Sequence, residues 1–232
     1  SIGLTCALLI MLFIKNEFSY DRFHDKKDDL YRLGFEFTDQ EREVRSPQMT
    51  APVGPDMVDE FPEVIRAARF TRPGSGFFSH DGSTYAAEGV TYADSTIFRM
   101  FSFDLISGDP EHVLAEPYSL VLSEELAANI FGEEDPIGQV LRWNNRDDLR
   151  IAGMVKPPPS TSHLQFSSLI SFSSRYRDRR LYMDWNGGMQ YYHYLELVPG
   201  ASTEELSGKF PDFMYKNINY LYEQTGSSNA AF

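Results

Sequence analysis

The sequence predicts an α+β protein in two lobes: an α/β lobe built by both ends of the chain, and a mostly β lobe inserted by its middle. Three observations carry this. Before residue 75 the patterns run strand, helix, strand; from about 77 the segments become short, β-like and divided by turn signals; after 160 strand, strand and helix return. Pro157, Pro158 and Pro159 mark the second boundary, because consecutive prolines exclude both helix and central strand. The expected division is residues 1–18 as an apolar entry segment, 19–75 and 159–232 as the two parts of the first lobe, and 76–158 as the insertion.

Taken in order, residues 30–37 partly alternate apolar and polar, and 41–45 return as a hairpin partner across a polar turn at 38–40. Pro52 and Pro55 suit a first helical turn, and Val53, Met57, Val58 and Phe61 recur at helical spacing until Pro62 stops the run. Residues 65–71 form the next strand. Gly74-Ser75-Gly76 reads as loop and His80-Asp81-Gly82 as a tight turn. Strands follow at 85–92 and 119–122, with a short helix at 95–101 capped by Asp94 or Ser95 between them. Ser123 caps a helix over 124–131, acidic at its start as the helix dipole favours and ended by Gly132. Residues 140–143 and 149–155 read as a hairpin, with Trp143 packing across it. Strands at 164–172 and 191–198 flank a basic stretch at 175–180. Ser202 and Glu205 form a capping box for a last helix that Pro211 kinks, and residues 225–232 are expected to be loosely ordered.

The entry segment raises a separate question. Residues 2–14 carry no charge, yet from Lys15 charges and aromatics crowd together. As a helix these ~13 residues rise roughly 20 Å, short of the ~30 Å that a spanning helix must cross. A signal-peptide core would need a basic leader and a small-residue cleavage site, and a buried soluble helix would need a polar stripe, which Thr5 and Cys6 do not make. The favoured reading is the outer half of a transmembrane helix whose first half lies upstream. Asn16, Glu17, Tyr20, Asp21 and Arg22 then sit at the membrane–water boundary, with Phe18, Tyr20 and Phe23 as an aromatic belt. Cys6 is the one cysteine, so the rest of the chain holds neither disulfide nor thiolate cluster. As an acylation site it follows Thr5 where a smaller residue is usual.

With 21 Lys and Arg against 34 Asp and Glu, the formal net charge is -13. Such a surface repels nucleic-acid backbones and anionic headgroups, so no nucleic-acid partner is expected. Enzyme signatures are lacking: there is no Walker lysine, G-x-S-x-G elbow or complete dinucleotide fingerprint. His24, His80, His112, His163 and His193 have no companion at the spacing of a helical zinc site, so neither metal nor cofactor is expected. Glu133-Glu134-Asp135 runs into turn composition and reads as a solvated loop. Arg175, Arg177, Arg179 and Arg180 are read as binding acidic groups elsewhere on the protein or on a partner.

Two stretches carry a family resemblance. NEFSYDRFHDKKDDLYRL, residues 16–33, resembles the first membrane-exit segment of MacB/FtsX-type ABC transporter permeases. VTYADSTIFRMFSFDLISGDPEHVLAEPYSLVLSEELAANIFGEEDPIGQVLRW, residues 90–143, is similar to their MacB-like periplasmic core domain. The resemblance implies a two-lobed extracytoplasmic domain with a porter-like α/β lobe, preceded by the end of a transmembrane helix. The protein would lie in the inner (cytoplasmic) membrane with residues after about 18 on the periplasmic side. It implies a separate ATP-binding subunit or region, a homo- or heterodimer of permeases, and an extracytoplasmic partner protein. The function expected is transmission of ATP-driven helix motion to substrate export or to a partner, with no catalysis by this domain and with Glu17, Tyr20, Asp21, Arg22 and Phe23 coupling helix to domain. The alternative is a ligand-binding sensor domain of a membrane receptor, which would show one deep closed pocket where a transport domain shows an open groove.

Overall fold

The computed structural model describes residues 20–39 and 42–219. Strand β1 (Leu30–Arg32) ends before Gly34, and β2 (Phe35–Asp39) with β3 (Arg42–Ser46) makes a hairpin of its own, so the predicted hairpin splits at the glycine. Helix α1 (Val53–Glu60) starts from Pro52 and gives way to extended Phe61, then β4 (Val64–Thr71) follows. Next comes β5 (Gly74–His80), a strand where glycine content predicts loop. Its Gly76 is needed for packing, since a Cβ there would stand 2.5 Å from the Trp143 ring. Asp81 and Gly82, with φ of 46° and 78°, turn the chain into β6 (Ser83–Ala93); positive φ at both residues suits a tight hairpin.

Helix α2 (Ile97–Met100) begins after Thr96 with no side-chain cap, contrary to the expected Asp94 or Ser95. The Asp94 carboxylate is engaged elsewhere, as described below. Past β7 (Leu105–Ser107) and β8 (Ser119–Ser123), α3 (Glu124–Phe131) is capped as expected, with Ser123 Oγ accepting from Leu126 N at 3.3 Å. Strands β9 (Val140–Trp143) and β10 (Asp147–Val155) form the predicted hairpin. Trp143 packs on Phe78 of β5, ring centroids 4.7 Å apart. Strand β11 (Ser168–Ser171) starts four residues later than predicted and ends where a 3₁₀ turn, Phe172–Arg177, takes over. The chain then runs through β12 (Tyr191–Leu197) into α4 (Thr203–Met214), where Ser202 Oγ accepts from Glu205 N, and ends in a π turn over Tyr215–Asn219. The tail expected to be loose lies outside the described residues.

Two arrangements share one sheet. Strands β1, β12 and β4 form an antiparallel strip with Leu30 opposite Glu196 and Tyr194 opposite Ala68. Helices α1 and α4 bury Val53, Met57, Leu206 and Phe213 against Leu195 and Leu197 on one face of it. The amide of Gly54 donates to Nδ1 of the fully buried His193 at 3.0 Å, and a Cβ at residue 54 would lie 2.8 Å from that nitrogen; glycine lets α1 sit this low. The second arrangement closes on itself: β6, β11, β8, β10, β9 and β5 pair in that order, and β5 pairs back to β6. Closure removes open edges, and α3 adds Leu126, Ala127, Ile130 and Phe131 to the apolar interior.

Strip and ring meet where β4 pairs β6 through a single register pair, Phe70 with Ala93. Beside it Arg69 makes a two-pronged ion pair with Asp94, Nε to Oδ2 at 2.7 Å and Nη2 to Oδ1 at 2.8 Å. The Arg69 amide also donates to Oδ2 at 2.8 Å. Arg69 Nη1 donates to Ala51 O and to the Tyr176 hydroxyl, and the guanidinium lies 4.1 Å over the Phe172 ring. Arg69 is buried, and the Asp94 side chain is 18% exposed. A charge at such a site is tolerable only with complete partners. Replacing Asp94→Ala, which strands the guanidinium, is expected to lower unfolding free energy by about 3–5 kcal/mol, as urea denaturation would measure; a loss under ~1 kcal/mol would refute it.

Candidate functional site

The entry turn at residues 20–29 leads into β1 and is held by charged and polar groups drawn from distant parts of the chain. Asp21 adopts φ 55°, a conformation that Asp tolerates because its short side chain bonds locally. Its amide donates to Thr161 O at 2.9 Å, and its carboxylate accepts from the His163 amide at 3.1 Å. His163 Nδ1 lies 2.6 Å from the second carboxylate oxygen, and Nε2 lies 2.7 Å from the Tyr194 hydroxyl. A carboxylate only accepts, so Nδ1 carries a proton toward Asp21, and Nε2 faces the Tyr194 hydroxyl. Tyr194 stands in β12 with its ring edge-on to Phe70 and Phe101. Burial pushes its hydroxyl up to about 12, against the opposing effect of Arg32.

This Asp–His–Tyr line has the outline of an acid–base relay, but its chemistry points the other way. An activated nucleophile needs a lowered pKa or an adjacent base acting on an accessible oxygen. Here burial raises the pKa, and Tyr194 is 4% exposed. The line therefore positions the turn. An open cavity of about 350 Å³ adjoins it, lined by Asp21, His24, Arg32, Phe101, His163 and Tyr194.

A second fastening follows at once. His24 is buried between Phe23, Phe101 and Phe103, with ring centroids 3.9, 5.1 and 5.3 Å away. Its Nδ1 accepts from Ser102 N at 3.0 Å, while Ser102 Oγ accepts from Asp25 N at 2.9 Å. Lys26 Nζ reaches Arg99 O at 2.9 Å and Glu196 Oε1 at 2.8 Å. The other oxygen of Glu196 accepts from Arg66 Nη1 at 2.8 Å. Glu196 is a buried acid near the end of β12 and receives a cation from each side.

Of the coupling residues named from sequence, Asp21 and Phe23 lie at the heart of this assembly, the latter 6.1 Å from Phe103. Tyr20 and Arg22 are exposed on the same turn. Glu17, the apolar entry at 1–18 and Cys6 lie outside the described residues. Sequence reasoning misses His24, Lys26, His163, Tyr194 and Glu196. Only Glu196 leaves a signal, an acid inside the apolar run Tyr191–Leu197. Among the described residues no group of three His, Cys, Asp or Glu gathers as a metal site would require, and no helix is long and apolar enough to cross a membrane.

Few helices and prominent strands, entered through this fastened turn, define a mixed α/β domain. The chain belongs to the MacB-like periplasmic core domain family, whose model matches residues 1–212. A domain of a protein assigned as a permease from Porphyromonas gingivalis is similar at 25% identity and TM-score 0.74, over 84% of each chain. The periplasmic region of MacB from Actinobacillus actinomycetemcomitans shares the fold at 13% identity and TM-score 0.57, over 87% of this chain and 94% of that one. So does the extracellular domain of the noncanonic ABC-type transporter YknZ from Gram-positive bacteria, at 12% identity and TM-score 0.51, over 87% and 97%. No curated protein matches the chain. The chain is thus a MacB-like periplasmic core domain.

Acid should loosen both histidine anchorages. Burial pushes His193 down to about 3, with the Arg69 charge acting in the same direction. Burial also lowers His24, although Asp21 opposes it. Both rings are neutral in the folded protein, whereas the unfolded chain takes up protons near the ordinary value of 6.5. The contribution of His193 is therefore complete above pH 6.5 and is lost as pH falls from there toward 3, by up to about 1.4 kcal/mol per pH unit, and that of His24 is lost in the same direction. Urea denaturation between pH 7 and 4 should show a shallower acid slope in His193→Asn than in the native chain; equal slopes would contradict the assignment.

Proposed function

We propose that this domain is the moving extracytoplasmic part of a MacB/FtsX-type permease, transmitting ATP-driven motion of a membrane helix to substrate export or to a partner protein. One observation carries the reading: the entry turn is clamped to three separate parts of the fold. These are the segment after the triple proline through Thr161 and His163, the end of α2 through Arg99 and Ser102, and β12 through Glu196 and the Leu197 amide. A turn that merely led into a domain would need one such contact. Several directional bonds around it make a stiff joint, as a rigid-body movement of packed elements requires.

On this reading the membrane helix precedes residue 18, the rest lies on the periplasmic side of the inner membrane, and hydrolysis takes place on a separate ATP-binding subunit or region. Two permease chains work as a homo- or heterodimer, and the strip of β1, β12 and β4 carries the load to the closed β ring. The domain itself makes and breaks no bonds.

The test uses the parent permease with its ATP-binding partner in proteoliposomes, with spin labels on β9 and on the membrane-proximal turn of the dimer mate. Native protein should show a distance change on ATP binding. In Asp21→Ala/His163→Ala and in Arg22→Ala/Phe23→Ala that change is expected to shrink by at least about half, because a joint missing its directional bonds yields under load, while ATP hydrolysis continues. An undiminished distance change in both double variants would end this reading.

A further inference from the structure

The arginine-rich stretch that the coupling reading leaves unused lines a cavity of about 170 Å³ at the 3₁₀ turn. Its walls are Tyr92 from β6, Tyr118 before β8, Leu149 from β10, and Ser174 and Leu181. Five arginines face it, Arg146, Arg175, Arg177, Arg179 and Arg180, with only two carboxylates, Asp147 and Asp178. Both carboxylates are committed. Arg146 Nη2 holds Asp147 at 2.7 Å, and Arg180 grips Asp178 with two bonds of 2.8 and 2.7 Å. The side-chain and backbone hydrogen bonds from Arg180 hold the Asp178 carboxyl well below the usual range, so it stays charged.

Three guanidinium groups remain. Arg175 lies 5.1 Å over the Tyr92 ring and 5.5 Å over Tyr191, and its one hydrogen bond is a long 3.3 Å contact from Nη2 to the Tyr191 hydroxyl. Its Nε is buried without a partner. Arg177 and Arg179 are exposed and have no carboxylate partner among the described residues. Five cations against two anions leave three positive charges in one small concavity, on a chain whose net charge is -13. Stability does not call for this arrangement, since uncompensated like charges repel one another.

We infer that this cavity is a binding site for a phosphoryl group, carried by a small phosphate ester or by a lipid headgroup. A guanidinium fork matches the geometry of phosphate oxygens, and a phosphate offers enough acceptors to engage three forks, where one or two would satisfy a carboxylate. The volume suits a headgroup-sized anion, and the tyrosine walls accept the carbon skeleton behind it. Burial raises the Tyr92 hydroxyl, despite the nearby Arg175, so that it keeps its proton as a donor. The acidic surface that repels anionic membranes at large is reversed at this one place. The inference is independent of the coupling reading.

Calorimetric titration of the full chain in uncharged detergent, at constant ionic strength, tests it with three probes: inorganic phosphate, glycerol phosphate, and micelles doped with phosphatidylglycerol. Saturable binding of a soluble probe supports a soluble ester, and binding of the doped micelles alone supports a headgroup. Arg177→Ala/Arg179→Ala should weaken that binding by about tenfold or more, in keeping with the loss of charge-assisted bonds. Arg142→Ala, which removes an exposed arginine paired to Asp148 away from the cavity, should leave it unchanged. Should the double alanine variant not fold, Arg177→Lys/Arg179→Lys keeps the charge, loses the forks, and is still expected to weaken binding. Absence of saturable binding for all three probes, or equal binding by the arginine variants and the native chain, overturns the inference.

Discussion

The Arg69–Asp94 pair is the interaction on which the architecture rests. Strip and ring share one ladder pair between β4 and β6 and an apolar core in which Phe70 and Tyr194 meet Ala93 and Leu169, a ladder too short by itself to set their angle. The ion pair supplies what the ladder lacks, with two side-chain bonds and an amide bond converging on one carboxylate. The remaining guanidinium face is closed by Phe172, and Nη1 is used on Ala51 and Tyr176. Four parts of the chain therefore meet at one cation: β4, the end of β6, the approach to α1 and the 3₁₀ turn. An apolar contact of the same area would resist separation, but the hydrophobic effect is non-directional and leaves sliding free. Bidentate geometry fixes an angle as well as a distance.

The same logic recurs at the entry turn on a smaller scale. Glu196 alternates out of the pattern of β12 and lies buried, which would be costly without company. Lys26 and Arg66 meet its two oxygens from opposite sides, so one acid ties the turn to β4 across β12. His24 is handled differently: its aromatic surroundings keep the ring neutral, and the Ser102 amide uses its free nitrogen. Both arrangements exchange a desolvation cost for a defined orientation, a plausible trade only where orientation matters to the molecule's work.

Much of the fold is legible in the residues because local chemistry decides it. Ser123 and Ser202 cap their helices, Gly132 ends α3 at φ 62°, and the turn at Asp81-Gly82 follows from two residues that tolerate positive φ. What escapes is set by distant partners. The glycines of β5 suggest a loop until the Trp143 ring is known to lie on Gly76. Asp94 looks like a helix cap until Arg69, 25 positions earlier, claims its carboxylate. The site divides in the same way. Clustered charges and aromatics single out residues 20–23, but Asp21 and His163 are 142 positions apart and no local pattern joins them. Closure of the β-rich ring through β11, beyond the triple proline, is likewise a property of pairing and not of composition.

These two sets of bonds form a continuous mechanical path. The entry turn grips β12 directly at Glu196 and, through His163, at Tyr194; β12 is paired along its length to β4, and β4 hands over to the ring at Arg69. A body is oriented by three attachments that do not share a line, and the turn has three. On the proposed coupling, rotation applied at residue 20 would reach the ring through hydrogen bonds and ion pairs at each joint, beside the apolar core that strip and ring share. The 3₁₀ turn that completes the Arg69 enclosure also bears Arg175 and Arg177 of the basic cavity. The cavity thus adjoins the Arg69 joint between strip and ring, so an anion drawn into it would bear on the segment that supplies Phe172 and Tyr176 to Arg69.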